Sequence, residues 1–85
     1  MQNYIKLDTD TRTFQEIWNS LSSAEQSNLR TELQAKLGVS RQAIYSWHKK
    51  GTHPISGQFR KAVCNVLNKT LVIKSHPVTL FPNAK

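Results

Sequence analysis

After Glu32 the chain contains no acidic residue. Lys6, Arg12 and Arg30 face Asp8, Asp10, Glu16, Glu25 and Glu32 in the first 32 residues, whereas Lys36, Arg41, Lys49, Lys50, Arg60, Lys61, Lys69, Lys74 and Lys85 follow with nothing to offset them. A positive field of this kind attracts polyanions. Cysteine is nearly absent, and Cys64 alone permits no internal disulfide, which fits a reducing compartment. No apolar run approaches the roughly 20 residues of a membrane span, and no signal-peptide pattern opens the chain, so a cytoplasmic location and no membrane partner are expected. Repeats and low-complexity segments are also missing.

Catalytic chemistry has little to draw on. All five carboxylates precede residue 33, mostly in the polar arm or on exposed helix faces, and no phosphate-cradling glycine-rich loop is present. A structural zinc site needs four ligands with a close pair such as C-x2-C, which His48, His53 and Cys64 do not supply. The expectation is a non-enzyme with no cofactor, no metal and no small-molecule substrate, in which His48 and His53 are polar surface residues.

What is present is helical punctuation. At 85 residues the chain makes one small domain, of a size that buries about 60% of its unfolded surface. Thr13 and Glu16 form a capping-box pattern, after which Phe14, Ile17, Trp18 and Leu21 repeat with helical spacing. Ser22 and Glu25 form a second one, opening a helix from Ser23 to Leu37 whose polar run Glu25 to Asn28 is either a separate surface or a place to unwind. Leu29, Leu33 and Leu37 share one face, and Gly38 stands where a left-handed C-terminal cap needs no Cβ. Ser40 can cap the next helix, Arg41 to about Lys50, through the N–H of Gln42 or Ala43. Ile44 and Trp47 face inward with Val39, leaving Gln42, Tyr45, Ser46 and Lys49 outside. Gly51 ends that helix, Pro54 shapes a loop, and Ser56 caps a fourth helix on which Phe59, Ala62, Val63, Val66 and Leu67 form the inner stripe. The expected core is Phe14, Ile17, Trp18, Leu21, Leu29, Leu33, Leu37, Val39, Ile44, Trp47, Phe59, Val63, Val66 and Leu67.

The tails are less defined. Tyr4 to Leu7 reads as either a short edge strand or a disordered arm. From Thr70 the runs LVIK and VTLF, separated by Ser75, His76 and Pro77, are β-branched and apolar, which disfavours a helix; a hairpin, pairing with Tyr4 to Leu7, pairing with a second protomer and a flexible tail all stay open. The expected division is an arm at 1–12, a domain at 13–68 and a tail at 69–85.

Two helices joined by a short glycine-containing turn make a helix-turn-helix. LQAKLGVSRQAIYSW resembles the helix-turn-helix of the phage repressor and Cro superfamily, matching at Leu33, Leu37, Gly38, Val39, Ile44 and Trp47, with Gln34 where that family usually has Ala. The likeness covers about Phe14 to Asn68. It implies an all-α, four-helix lambda repressor-like domain that binds double-stranded DNA in sequence-specific fashion as a small phage-type or mobile-element regulator, nucleoid-associated when bound. Small Cro proteins dimerise through C-terminal strands, so a homodimer on DNA is implied as well. The candidate DNA-binding residues are Ser40, Arg41, Gln42, Tyr45, Ser46, Lys49, Lys50, Arg60 and Lys61. Gln42 suits adenine N6 and N7, Arg41 suits guanine O6 and N7 or a phosphate, Ser46 suits either kind of partner, and Tyr45 suits a thymine methyl or a backbone oxygen. Lys49, Lys50 and the amides that open the helices suit phosphates, with Arg60 and Lys61 behind them. The alternative is a protein-interaction module that keeps the fold for assembly or antitoxin-like partner binding.

Overall fold

The first four α-helices each begin where a hydroxyl side chain replaces a missing backbone acceptor. The computed structural model describes residues 9–84, which form α1 (Phe14–Ser20), α2 (Ser23–Leu37), α3 (Arg41–Tyr45) with a π-helical continuation (Ser46–Lys50), α4 (Gly57–Leu71) and α5 (Pro77–Leu80). Both capping boxes close: the Thr13 and Ser22 hydroxyls accept from the Glu16 and Glu25 amides, and the two carboxylates accept from the Thr13 and Ser22 amides. Ser40 Oγ accepts from the Ala43 amide at 3.0 Å, and Ser56 caps α4 in the same way. Gly38 and Gly51 sit at φ 68° and 74°, left-handed values that any Cβ would oppose. Helix α2 runs without interruption through Asn28, and Gln34 and Ala35 are both exposed.

The core forms where the apolar stripes meet. Phe14, Ile17 and Trp18 of α1, Leu29 and Leu33 of α2, Ile44 and Trp47 of the third helix, and Val63, Val66 and Leu67 of α4 are buried. Leu21, Leu37, Val39 and Phe59, expected in the core, pack against its edge and remain half-buried. Three further residues complete it: Cys64, Leu80 and Phe81 are buried as well. Phe14 is the hub. Its ring stacks on Trp18 at 6.0 Å and on Phe81 at 5.6 Å, and meets Trp47 edge-on at 5.9 Å.

The C-terminal segment is helical where its composition disfavours a helix, and it forms neither a hairpin nor a flexible tail. No strand occurs among the described residues, and the segment instead continues α4 to Leu71, turns, and forms α5. Val72 takes a left-handed φ of 55° to end α4. Asn68 then holds the returning chain: its Nδ2 donates to the Ser75 carbonyl at 3.1 Å, and its Oδ1 accepts from the Ser75 amide at 3.0 Å and hydroxyl at 2.7 Å. Cys64 Sγ donates to the same Ser75 carbonyl at 3.2 Å. Pro77 has no N–H to give to a ladder, yet its fixed φ suits the first turn of a helix, which is where it sits. The remnant of strand pairing is one parallel bridge between Asp10 and Ser75, made by the Asp10 amide on the Lys74 carbonyl at 2.7 Å. Residues 69–84 are therefore part of the domain. Tyr4 to Leu7 lies outside the described residues.

Phe81→Ala is expected to cost roughly 3–5 kcal/mol, a large fraction of the stability of so small a domain. Val78, 81% exposed three residues earlier, serves as its control, and Val78→Ala should fall within about 0.5 kcal/mol of the parent. Urea melts followed by tryptophan fluorescence measure both; equal melts would show that the tail is not docked on Phe14.

Candidate nucleic-acid interface

Helix α3 is anchored from beneath and free above. Ile44 and Trp47 hold it to the core, while Arg41, Gln42, Lys49 and Lys50 are exposed and Ser46 is half-buried. The three-residue turn Gly38–Ser40 sets its angle to α2. Ser40 itself is exposed, with its hydroxyl committed to the cap. Tyr45 is 49% exposed, and its ring meets His48 edge-on at 5.4 Å.

An expectation of one α-helix from Arg41 to Lys50 gives way at Ser46. From there the helix widens to π geometry, and the Gly51 amide closes on the Ser46 carbonyl, five residues back. Regular α spacing therefore does not carry through from Gln42 to Lys49 and Lys50. Trp47, three residues after Ile44, is buried, and His48 beside it is half-buried. Trp47 meets Phe14 and Phe81, and the His48 ring lies flat on Trp18, 4.2 Å away with 7° between planes.

His48 is thus more than the polar surface residue expected. Burial against its neighbours, then the cations of Lys49 and Arg30, hold its pKa below the usual 6.5. Gln26 Nε2 donates to the Trp18 carbonyl at 2.8 Å and ties α2 to the end of α1. His53 is half-buried and its Nδ1 donates to the Pro54 carbonyl at 2.9 Å, within its own loop.

Arg60 and Lys61 part company. Arg60 Nη1 donates to the carbonyls of Pro54 at 2.7 Å and Ile55 at 2.9 Å. Its first role is to latch the loop between the third and fourth helices. Lys61 is exposed and borders the cleft that α4 forms with Pro77, Val78 and Phe81. Among the described residues no three His, Cys, Asp or Glu side chains gather as a metal site would require, and no helix is long and apolar enough to cross a membrane. Compared with family models, curated proteins and solved structures, the chain matches none of them.

The loop latch yields a direct comparison. Arg60→Ala removes two charge-assisted hydrogen bonds and should lower stability by roughly 1.5–3 kcal/mol, whereas Lys61→Ala should be neutral to within about 0.5 kcal/mol. Thermal melts of the two variants check this, and equal melting temperatures would return Arg60 to the free surface cations.

Proposed function

We propose that the chain is a sequence-specific double-stranded DNA-binding regulator of the phage repressor and Cro type, which lays residues 41–50 in the major groove. One observation carries the reading: the helix after the Gly38 turn is packed by Ile44 and Trp47 yet leaves Arg41, Gln42, Tyr45, Lys49 and Lys50 outward, in the half of the chain that holds no carboxylate. A helix so presented fits the major groove, whose donor and acceptor pattern distinguishes all four base pairs. Gln42 and Arg41, near its N-terminus, are the base readers, and the lysines hold phosphates.

One helix reads only a few base pairs, so two protomers on half-sites about 34–36 Å apart complete the reading. The segment Leu71 to Phe81 supplies less to such a dimer than its composition implies, since Leu80 and Phe81 are buried in their own core. Val72 and Val78 remain outward.

If each protomer neutralises roughly three to five phosphates, log affinity falls with log salt at a slope of about −3 to −4.5. Lys50→Ala should weaken binding to every duplex alike and flatten that slope by about one. Gln42→Ala should cost about 1–3 kcal/mol on the preferred site alone and leave the slope nearly intact. Fluorescence anisotropy with a selected and a scrambled duplex across a salt series measures these effects. A parent with no salt-dependent affinity for any duplex refutes DNA binding in favour of a protein-interaction module; matching profiles for the two variants refute the groove assignment.

A further inference from the structure

An open cleft of about 500 Å³ lies between the first turn of α4 and the segment of α5, and none of residues 41–50 lines it. Its volume falls within the roughly 300–1,000 Å³ usual for ligand sites. One wall is apolar, built by Pro77, Val78 and Ala84 around the buried Phe81. Val78 is 81% exposed, so that wall is left partly uncovered. The other wall carries Arg60 and Lys61. Arg60 is held there with part of its fork unspent. Its Nη1 donates to the carbonyls of Pro54 and Ile55, and a Cβ placed on Gly57 would lie 3.6 Å from its Nη2, so the guanidinium is fixed beside the first turn of α4. Nη2 and Nε make no hydrogen bond among the described residues. That edge carries two parallel N–H groups, the geometry a carboxylate accepts in bidentate fashion. Lys61 is exposed and has no carboxylate within ion-pair distance among the described residues.

We propose that this cleft docks an acidic, apolar peptide segment of a partner protein, with a carboxylate on Arg60 and Lys61 and an apolar side chain against Val78. Complementarity selects that occupant. A DNA backbone would satisfy the two cations but would leave Val78 and Ala84 facing a polyanion, with no apolar surface to cover them. A second copy of this chain brings a formal net charge of +7 and no acidic side chain after Glu32. Its described carboxylates are already engaged: Asp10 pairs with Arg12, Glu16 and Glu25 are folded onto their own caps, and Glu32 pairs with Lys36. A segment from another protein supplies both the anion and the apolar side chain that the two walls lack.

The loop latch prepares Arg60 for this role. Its two carbonyl partners set the rotamer before the peptide arrives, so docking does not bear the cost of ordering that side chain. The inference goes beyond the DNA-binding reading and gives Lys61 and the free edge of Arg60 a ligand other than DNA.

The test is selection from a ribosome-displayed random peptide library with the full chain as bait, followed by fluorescence anisotropy of a labelled selected peptide. The selected sequences should place Asp or Glu beside a large apolar residue. Exchanging the peptide's acidic residues for amides should weaken binding by roughly tenfold or more, and so should Lys61→Glu and Val78→Glu in the chain. Both substituted positions are exposed, and urea melts confirm that the two variants fold. Lys50→Ala should leave the peptide's affinity within about twofold of the parent's, and a scrambled duplex should not displace the peptide. Selection of no peptide, or of neutral or basic ones, overturns the proposal, as does parental affinity in either cleft variant. Displacement by the duplex assigns the peptide to the basic third helix and overturns it too. A parent that sediments as a dimer, with Val78→Glu as a monomer, gives the cleft to a second copy and has the same effect. If the parent binds no duplex while the peptide results hold, the DNA-binding reading falls and the cleft stands.

Discussion

Phe14 packs against three other aromatic rings, and the third helix and the C-terminal segment are joined to the first helix through that cluster. Trp18 and Phe14 belong to α1, Trp47 to the π-helical end of the third helix, and Phe81 to the returning tail. A chain this short buries little, and aromatic side chains supply the greatest apolar area for each residue fixed. Joining four rings at one point therefore ties the first helix, the exposed basic helix and the C-terminus together where no disulfide is available. The same cluster holds the third helix to the core, since Trp47 meets both Phe14 and Phe81 edge-on.

Backbone conformation divides the remaining work. Gly38 and Gly51, both left-handed, bracket the helix from Arg41 to Lys50, one setting the turn that precedes it and the other ending it. Between them the helix changes gauge at Ser46, next to Trp47, which is in the core, and His48, whose ring covers Trp18. The π turn begins one residue before the buried anchor Trp47 and ends at the exposed Lys49 and Lys50. Arg60 fixes the loop that follows, which keeps Gly51 to Ser56 from loosening the end of the same helix.

Electrostatics and packing reinforce each other in this arrangement. The capping boxes consume the Glu16 and Glu25 carboxylates at helix starts, where they also meet the favourable end of the helix dipole. Acidic groups are thereby kept in the frame and away from the third helix. What remains on the outward surface of that helix is uncompensated positive charge with two amide- or guanidinium-bearing side chains at its N-terminal end, Gln42 and Arg41. That combination suits a ligand with a regular array of phosphates and readable edges between them.

Local chemistry was enough to place four helices, because the signals that define them act within four residues. Thr13 with Glu16, Ser22 with Glu25, Ser40 and Ser56 each cap the helix that follows, and the Gly38 turn requires only that glycine bear no Cβ. The inward stripes were legible for the same reason: helical periodicity sorts Ile44 and Trp47 from Gln42 without knowledge of the fold. The tail was not legible. LVIK and VTLF have strand composition, but Asn68 and Cys64 capture Ser75 across the turn, and the unfilled space above Phe14 takes Leu80 and Phe81. Nor could spacing reveal that the His48 ring lies on Trp18, or that Arg60 serves the loop. Those juxtapositions arise from side chains on different elements, 30 residues apart in the first case. Sequence determined the helices and which of their faces turn inward, because both depend on neighbours along the chain; tertiary structure decided which charged groups share a surface, because only packing brings α1, α2 and α3 to one place.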